Sequence, residues 1–370
     1  MLNHEIKEII DFGDFQVFEE ATTYPCILRI IKKISDGTFD FSKIKTDDFS
    51  KDFYNYVINN RNVIKQNSLN AETWVIGEAS NQMLMHKLTN NEKKLEKYLK
   101  EGAKRGVLTG LTEAFLINDE TKKRIIQTDK NSVNFIKPFL LGRDVKPYSA
   151  AKNKNWLILI PKGYTIKSIL HLNDPNNLSE PVPRYGYIEY DKAWQWFKVN
   201  HPGIANHLEK YKDKAEIRTD KGDYWWELRA CDYYHMFERP KILYQVFQVK
   251  PCFIFDDKGM FCNNSMWFIP SDDKVLLGIL NSKMGWWLIS KYCTAIQNGF
   301  QLIWKYFGQI PIAAGNKVTR KVIEGLVNVV LDKKNQSSSA DTTALETEID
   351  RLVYELYGLT EEEIKIVEGA

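Results

Sequence analysis

The sequence contains no long apolar run and no paired cysteines. No stretch approaches the roughly 20 apolar residues of a membrane-spanning helix, and no basic flank precedes an apolar core near the first residue, so we expect neither a membrane helix nor a signal peptide. The five cysteines form no CxxC pair and the six histidines are dispersed. This pattern argues against a zinc site and is typical of reduced thiols in a cytoplasmic protein.

The familiar catalytic motifs are also missing. The chain has no glycine-rich cofactor loop, no GxxxxGK[ST], no HExxH and no GxSxG. Asp174-Pro-Asn-Asn177 lacks the second proline and the aromatic residue of the tetrapeptide with which adenine methyltransferases hold a flipped base. Asp256-Asp-Lys258 resembles a nuclease trio, but we expect it at a hairpin tip, where these residues are ordinary. We therefore predict that this chain is not itself an enzyme and carries no catalytic residue, metal or cofactor.

Positive charge is concentrated in the middle of the chain. Residues 121–170 contain eleven Lys or Arg and two Asp, a net charge of +9, whereas residues 332–370 contain four basic and ten acidic residues, a net charge of −6. Lys-rich loops also arise simply from solvation. Within a chain of net charge +3, however, this asymmetry indicates one surface that faces a polyanion.

The apolar pattern predicts a mixed α+β fold with curved sheets and flanking helices. Strand patterns lie at 15–18 and 24–31 (a hairpin), 156–160, 241–249 and 253–262 (a second hairpin). Helical spacing lies at 82–105, 275–292, 318–332 and 341–368, the last as two helices that meet at Gly358, with a Thr360–Glu363 capping box. Residues 35–70 are expected to be loops and short helices, 168–184 an irregular loop rich in Asn and Pro, and 335–340 a flexible linker.

Basic residues alternate with aromatic and amide residues in several segments. Lys and Arg neutralise phosphates, Arg pairs with guanine, and Asn and Gln pair with adenine in the major groove, so this mixture suits DNA recognition. Each Trp among them is more often a core residue. The candidate DNA contacts are Arg143, Lys146, Lys152, Lys154, Arg218, Lys221, Tyr224, Gln297, Asn298, Gln301 and Lys305. Arg143 and Asp144 have an alternative, structural role, in which a charge-assisted hydrogen bond holds the domain together.

Several phrases, in this order, resemble one protein family. They are GVLTGLTEAFLI at 106–117, FIKPFLLGRDVKPY at 135–148, WWELR at 225–229, FERPKILYQ at 237–245, LLGILNSKMGWWLI at 276–289 and IQNGFQLIWKYFGQIPI at 296–312. The set is similar to the TaqI-like C-terminal specificity domain, the target-recognition domain of single-chain, type IIG-like restriction-modification enzymes and DNA adenine methyltransferases. IDRLVYELYGLTEEEIKIVEG at 349–369 resembles the helical tail of such proteins.

The resemblance implies an organisation and a function. Residues 1–34 would be the last strands of a methyltransferase domain, 35–105 a helical connector, 106–315 the DNA target-recognition domain and 316–370 a helical tail. The chain would read double-stranded DNA for a methyltransferase domain or subunit, and for a nuclease, that lie outside it. Tyr24 would correspond to an aromatic residue near the flipped adenine. S-adenosylmethionine and Mg²⁺ would serve only the parent enzyme.

Two other functions remain open. The chain could be a scaffold whose acidic tail binds another subunit of a restriction-modification complex. It could also be a cryptic metal-dependent nuclease built from Asp220, Asp223 and Glu227. The sequence gives neither the recognised DNA sequence nor the oligomeric state.

Overall fold

The computed structural model describes most of the chain from residue 79 onward and parts of the region before it. The described residues are 4–13, 15, 17–18, 25–33, 37–44, 52–69, 74, 76, 79–150, 154–170 and 188–369. Among them, no helix is long and apolar enough to cross a membrane.

The N-terminal region forms a four-stranded sheet in the order β2-β1-β3-β4, in which β1 and β3 are parallel and the other pairs are antiparallel. The strand at 24–31 is confirmed in part, but its partner is Glu5–Asp11 and not 15–18. A register shift between Ile6 and Glu8 interrupts the alternation of inward and outward residues in β1. The sequence therefore lacks the regular period of two by which a strand is predicted. The elements are β1 (Glu5–Asp11), β2 (Cys26–Ile31), β3 (Thr38–Lys43), α1 (Phe53–Asn59) and β4 (Arg61–Lys65).

Two of these strands correct the expectation that 35–70 would be loops and short helices. β3 and β4 pair over five residues, and Phe39, Phe41 and Ile64 are buried between this sheet and its neighbours. Apart from the buried Ser42, the polar residues of both strands are exposed or half-buried, so the segment looked hydrophilic as a whole. A half-buried strand needs only alternate apolar residues.

From residue 79 onward, short strands alternate with helices. The strands are β5 (Lys93–Lys94), β6 (Lys104–Arg105), β7 (Leu116–Asn118), β8 (Ile136–Leu140), β9 (Val145–Lys146), β10 (Ser149–Ala150), β11 (Asn155–Ile158), β12 (Lys241–Gln245), β13 (Phe247–Gln248), β14 (Phe253–Asp256), β15 (Phe261–Cys262), β16 (Met266–Ile269), β17 (Thr294–Ile296), β18 (Gly299–Gln301) and β19 (Pro311–Ile312). The helices are α2 (Ala79–Asn91), α3 (Leu95–Tyr98), α4 (Thr112–Phe115), α5 (Asp119–Thr128), α6 (Tyr164–Ile169), α7 (Tyr190–Asn200), α8 (Pro202–Leu208), α9 (Lys212–Ile217), α10 (Lys274–Asn281), α11 (Lys283–Tyr292), α12 (Trp304–Phe307), α13 (Lys317–Gln336), α14 (Thr343–Leu356) and α15 (Glu361–Glu368). The mixed α+β class predicted from the sequence is confirmed.

The sheet β14-β12-β16-β6 separates two hydrophobic cores. Successive side chains of a strand point to opposite faces, and β12 shows the consequence: Ile242 and Tyr244 belong to one core, and Leu243 belongs to the other. The first core is completed by helices α10, α11, α13 and α14, and the second by β8, β11 and helices α7 and α8. The central strands therefore fix the recognition region and the C-terminal helices to one another.

The second core is rich in aromatic rings. Trp225 and Trp226 are buried, Tyr224 stacks on Trp226 with ring centroids 4.7 Å apart, and Trp194 lies 4.6 Å from Trp225. Pairs at this separation add stabilisation beyond their buried area. The expectation that most tryptophans here would pack in the core is confirmed for Trp225 and Trp226.

Several predicted elements have different boundaries. The predicted helix at 82–105 ends at Asn91, and the predicted helix at 275–292 is two helices, because the Ser282 side chain accepts a hydrogen bond from the Gly285 amide and starts α11. Residues 253–262 are not a hairpin: β14 pairs with β12, while β15 pairs in parallel with β8. Part of the predicted linker at 335–340 belongs to α13, which ends at Gln336.

The C-terminal tail agrees with its prediction. α13 covers the predicted helix at 318–332, and α14 and α15 flank Gly358, which has a φ of +60°. The predicted capping box is present, since the Thr360 side chain accepts from the Glu363 amide and the Glu363 carboxylate accepts from the Thr360 amide. The predicted domain boundaries themselves stay predictions.

Candidate functional site

The basic segment places three exposed cations at one end of the sheet that contains β8. Arg143 lies on a 3₁₀ turn over Gly142–Asp144, directly after β8; Lys146 ends β9; and Lys154 precedes β11. In the part of the chain that the structure describes, none of the three forms an ion pair. Their positive charges are therefore available to an external anion.

Arg143 and Asp144 do not hold the domain together through an ion pair. The described residues include no ion pair of either side chain, and the 3₁₀ turn itself is closed by the Asp144 amide, which donates to the Leu141 carbonyl at 2.9 Å. The alternative structural role for this pair stays a prediction.

A cleft of 470 Å³ lies beside Arg143. We call it the Arg143 cleft. Its walls come from the turn after β8, from the β12–β13 segment and from the loop before β16. The lining residues are Leu141, Gly142, Arg143, Gln245, Phe247, Asn263 and Ser265. Arg143 is the one charged residue among them, and the others supply two amides, a hydroxyl and an aromatic ring.

Hydrogen bonds fix the orientation of the two amides. The Gln245 Nε2 donates to the Gly142 carbonyl, which leaves the Gln245 Oε1 as an acceptor with no donor among the described residues. The Ser265 hydroxyl donates to the Asn263 Oδ1 at 2.9 Å, which leaves the Asn263 Nδ2 as a donor. The Arg143 cleft thus offers a guanidinium, one amide donor and one amide acceptor at defined places.

A β-hairpin stands next to the Arg143 cleft. β17 and β18 are joined by Gln297 and Asn298, which are exposed, and Gln297 has a φ of +52°, a conformation that non-glycine residues seldom adopt. β18 also pairs with β13, so that Gln301 lies opposite Phe247 in the cleft wall. Strand pairing therefore places Gln301 beside the wall of the Arg143 cleft, although more than 150 residues separate Gln301 from Arg143 along the chain.

A second cavity, of 890 Å³, also adjoins Arg143 but carries charges of both signs. Its lining includes five cationic side chains (Arg143, Lys154, Lys258, Lys274 and Lys334) and four acidic ones (Asp144, Asp256, Asp257 and Asp332). Because carboxylates repel phosphates and none lines the Arg143 cleft, this cavity is a poorer receptor for a polyanion than that cleft.

Two predicted contacts are buried, and the structure corrects them. The Arg218 guanidinium donates to the carbonyls of Thr109, Trp225 and Glu227 and lies over the Phe115 ring, 4.3 Å from its centroid. Burial lowers the pKa of Arg218 to about 10. Tyr224 is 2% exposed, and its hydroxyl donates to the Ile188 carbonyl at 2.9 Å. Both side chains are buried against the second core and present no exposed surface of the kind that a DNA contact needs.

The remaining candidates fall into two groups. Lys221 and Lys305 are exposed, although Lys221 donates to the Glu216 carbonyl and Lys305 lies 5.5 Å from the Tyr306 ring centroid. Lys152 and Tyr24 lie outside the described residues. Sequence reasoning missed Gln245, Asn263, Ser265 and Phe247; the amide cluster Asn263-Asn264-Ser265, between two short strands, was the available signal.

The three acids of the nuclease hypothesis serve structural roles. The Glu227 carboxylate is buried and accepts hydrogen bonds from the amides of Gly163, Thr165 and Asp223, while burial raises its pKa. Asp220 pairs with Arg229, and Asp223 pairs with Lys162. Over the described ranges, no group of three or more His, Cys, Asp or Glu side chains could hold a metal ion.

Comparisons with known proteins assign a family to most of the central region. Residues 137–312 match the family described as the TaqI-like C-terminal specificity domain, which confirms the resemblance seen in the sequence and the prediction of a DNA target-recognition module. All of the residues that line the Arg143 cleft, and the β17–β18 hairpin, lie within this match.

Two solved structures are similar to the chain. One is the type IIL restriction-modification enzyme MmeI in complex with DNA, with a TM-score of 0.48 and 11% identity over 99% of this chain and 45% of that chain. The other is the type IIG restriction endonuclease BpuSI, with a TM-score of 0.37 and 13% identity over 96% of this chain and 44% of that chain. This chain spans less than half of the length of either enzyme.

Proposed function

We propose that this chain, whose residues 137–312 belong to the family of TaqI-like C-terminal specificity domains, reads a short DNA sequence through the Arg143 cleft and the β17–β18 hairpin. The observation that carries the proposal is the convergence, inside the matched region, of Arg143 and two oriented amides in one cleft, whose wall residue Phe247 pairs with Gln301 of the β17–β18 hairpin. Base edges are read by this combination of donors and acceptors, whereas phosphates need only positive charge.

The fixed amides favour a particular base pair. Arg143 presents paired donors, which match the O6 and N7 acceptors of guanine in the major groove. The Gln245 Oε1 is an oriented acceptor in the same cleft, and it suits the N4 amino donor of the paired cytosine. We therefore expect the recognised sequence to contain a G·C pair at the Arg143 cleft.

The hairpin tip suits a neighbouring position. Gln297 and Asn298 are exposed amides on a rigid two-residue connection, and each can pair with the N6 and N7 atoms of adenine. Lys146, Lys154, Lys221 and Lys305 are exposed cations that neutralise phosphates on either side. The protein would then combine base contacts at the cleft and hairpin with phosphate contacts around them.

The catalytic steps are assigned to other polypeptide segments. A methyltransferase domain or subunit, with S-adenosylmethionine, would modify the adenine that this chain positions, and a Mg²⁺-dependent nuclease would cut the DNA. The chain would act on cellular DNA in the cytoplasm and contribute no catalytic residue to either reaction. Co-purification of such a partner with the 370-residue chain tests this assignment.

The DNA-binding proposal is tested by selection from a random duplex library, followed by fluorescence anisotropy. The full chain is expected to enrich one short sequence that contains a G·C pair, and to lose affinity as the salt concentration rises, because counterions are released from the phosphates. Binding without sequence preference, or without dependence on salt, would contradict the proposal. An unrelated duplex of equal length and composition serves as the matched control.

A further inference from the structure

A pocket of 640 Å³ lies between the C-terminal helices and the β17–β18 hairpin, away from the Arg143 cleft. Helices α11, α14 and α15 form most of its wall, and its volume is within the range of about 300–1,000 Å³ that is typical of ligand pockets. The lining residues that matter here are Tyr148, Trp286, Phe300, Glu346, Asp350 and Glu368.

Tyr148 is an unusual wall residue. It is 4% exposed, it has a φ of +59°, and its hydroxyl forms no hydrogen bond with any described residue. Burial, together with the charges of Glu346 and Asp350, raises the pKa of Tyr148, so the hydroxyl stays protonated. Tyr148 lines the pocket, so its hydroxyl is available to donate or accept a hydrogen bond with a ligand there.

The carboxylates of the pocket lack compensating charge. Glu368 pairs with Lys283 at 2.8 Å, but neither Glu346 nor Asp350 has an ion-pair partner in the described part of the chain. Glu346 accepts from the Thr342 hydroxyl, and Asp350 accepts from the Lys283 amide at 2.8 Å. Burial raises the pKa of Asp350, as do the nearby charges of Glu368 and Glu346, although the Lys283 amide and charge oppose this shift. A cation placed between these carboxylates would relieve their repulsion.

Aromatic rings complete the wall beside the carboxylates. Trp286 and Phe300 are in edge-to-face contact, with centroids 5.2 Å apart. Trp287 also lines the pocket, but Lys291 already lies 5.1 Å from its ring centroid. Trp286 therefore offers the face on which a planar cation can stack. A guanidinium stacks on aromatic faces and donates along its edges to carboxylates, whereas an ammonium is compact and strongly hydrated.

We propose that this pocket binds a guanidinium group, with its face on Trp286 and its edges directed to Glu346, Asp350 and the Tyr148 hydroxyl. This site is separate from the proposed reading of DNA and would persist if that function proved wrong. The group could be an arginine side chain of a partner protein or a free guanidinium compound, since both present the same chemistry.

Isothermal titration calorimetry on the full chain tests the proposal with three compounds. Nα-acetylarginine amide is expected to bind about tenfold or more tighter than Nα-acetylcitrulline amide, which has nearly the same shape but no charge; one factor of ten corresponds to about 1.4 kcal/mol. Agmatine distinguishes the two sources. Weaker binding of agmatine than of the arginine amide assigns the site to an arginine within a protein, and equal binding assigns it to free guanidinium compounds.

Variants decide whether binding occurs in this pocket. Glu346→Gln keeps the acceptor for Thr342 and is expected to weaken binding of the arginine amide about tenfold, and Tyr148→Phe should weaken it by a smaller factor. Glu348→Gln is the matched control, because this carboxylate lies on the same helix but pairs with Arg351 at 2.7 Å. Equal affinity for the citrulline compound, no binding of the arginine amide, or unchanged affinity in both pocket variants would overturn the proposal. Thermal melting confirms that each variant is folded.

Discussion

Lys241 and Asp256 form a buried ion pair across β12 and β14, where they are direct register partners. The Lys241 side chain is 0% exposed and also donates to the Phe237 carbonyl, and Asp256 accepts from the amides of Lys258 and Met260. Asp256 belongs to the Asp-Asp-Lys trio that resembles a nuclease. Its carboxylate instead closes the turn after β14 and neutralises a cation between the two cores.

The first prediction concerns this ion pair. Lys241→Met leaves Asp256 buried without its cation, so we expect the free energy of unfolding to fall by about 3–5 kcal/mol. Urea unfolding followed by tryptophan fluorescence measures this change. Asp257→Asn is the control, since Asp257 is exposed and should change stability by less than about 0.5 kcal/mol. A loss below about 1 kcal/mol in Lys241→Met would show that the buried pair contributes little.

The second prediction separates base contacts from phosphate contacts. Arg143→Ala should weaken binding to the selected duplex by about 1–3 kcal/mol and abolish the preference for one base pair, because a bidentate contact to guanine is lost. Lys146→Ala is the matched variant: it should weaken binding to all sequences similarly and reduce the salt slope by about 1. Anisotropy titrations with duplexes that differ at single positions measure both effects. Identical changes in affinity and in salt slope for the two variants would contradict the assignment of Arg143 to a base and Lys146 to a phosphate.

The third prediction uses the backbone of the hairpin tip. Gln297 has a φ of +52°, so Gln297→Gly removes a steric cost and should leave the free energy of unfolding unchanged or raise it by up to about 1 kcal/mol. The same variant removes an exposed amide and should reduce the preference for the selected DNA sequence. Thermal melting and library selection measure the two quantities separately. A destabilised protein, or an unchanged sequence preference, would contradict this assignment.

The fourth prediction is a dependence of stability on pH. Burial lowers the pKa of both His201 and His207. The His201 Nε2 forms a hydrogen bond with the Tyr164 hydroxyl, and the His207 Nε2 donates to the Ala114 carbonyl. A histidine with a folded-state pKa below its ordinary 6.5 is protonated more readily when unfolded. The neutral histidine therefore contributes its full share to the free energy of unfolding above pH 6.5. That share is lost as the pH falls from 6.5 to the lower pKa of the folded state.

Urea unfolding at several pH values measures that loss. Each histidine contributes a slope of at most about 1.4 kcal/mol per pH unit within the window. The variant with His201→Gln and His207→Gln keeps hydrogen-bonding groups but cannot titrate, so its stability should fall less steeply below pH 6.5. The exposed His86 provides the control, because His86→Gln should leave the slope unchanged. Equal slopes in all three proteins would contradict the prediction.

Local signals accounted for the C-terminal third of the fold. The capping box at Thr360 and Glu363 and the helix boundary at Gly358 are short-range features, and the sequence predicted both. The split of the predicted helix at Ser282 was missed, because apolar residues continue on both sides and only the serine side chain interrupts them. Similarly, the pairing of β15 with β8 could not be predicted from the sequence, since parallel pairing between distant segments leaves no local pattern.

The candidate site also contains some residues that the sequence predicted and others that only the structure revealed. Arg143, Gln297 and Asn298 were predicted because basic residues and amides in exposed segments are visible in the sequence. Arg218 and Tyr224 were predicted for the same reason and are wrong, because a guanidinium and a phenol can also be buried when carbonyl acceptors surround them. Gln245 was missed, because in the sequence it was only one more residue of an alternating strand.

The sequence by itself determined the resemblance of residues 137–312 to one family, the α+β class and the concentration of positive charge around Arg143, because ordered motifs, periodicity and composition are properties of residues in chain order. Tertiary structure alone decided which polar groups meet. Pairing of β13 with β18 places Gln301 opposite Phe247 in the wall of the Arg143 cleft, and donation from Gln245 to the Gly142 carbonyl selects the atom that the amide presents. Contacts between distant segments depend on strand register and burial, and neither quantity is encoded at a single position.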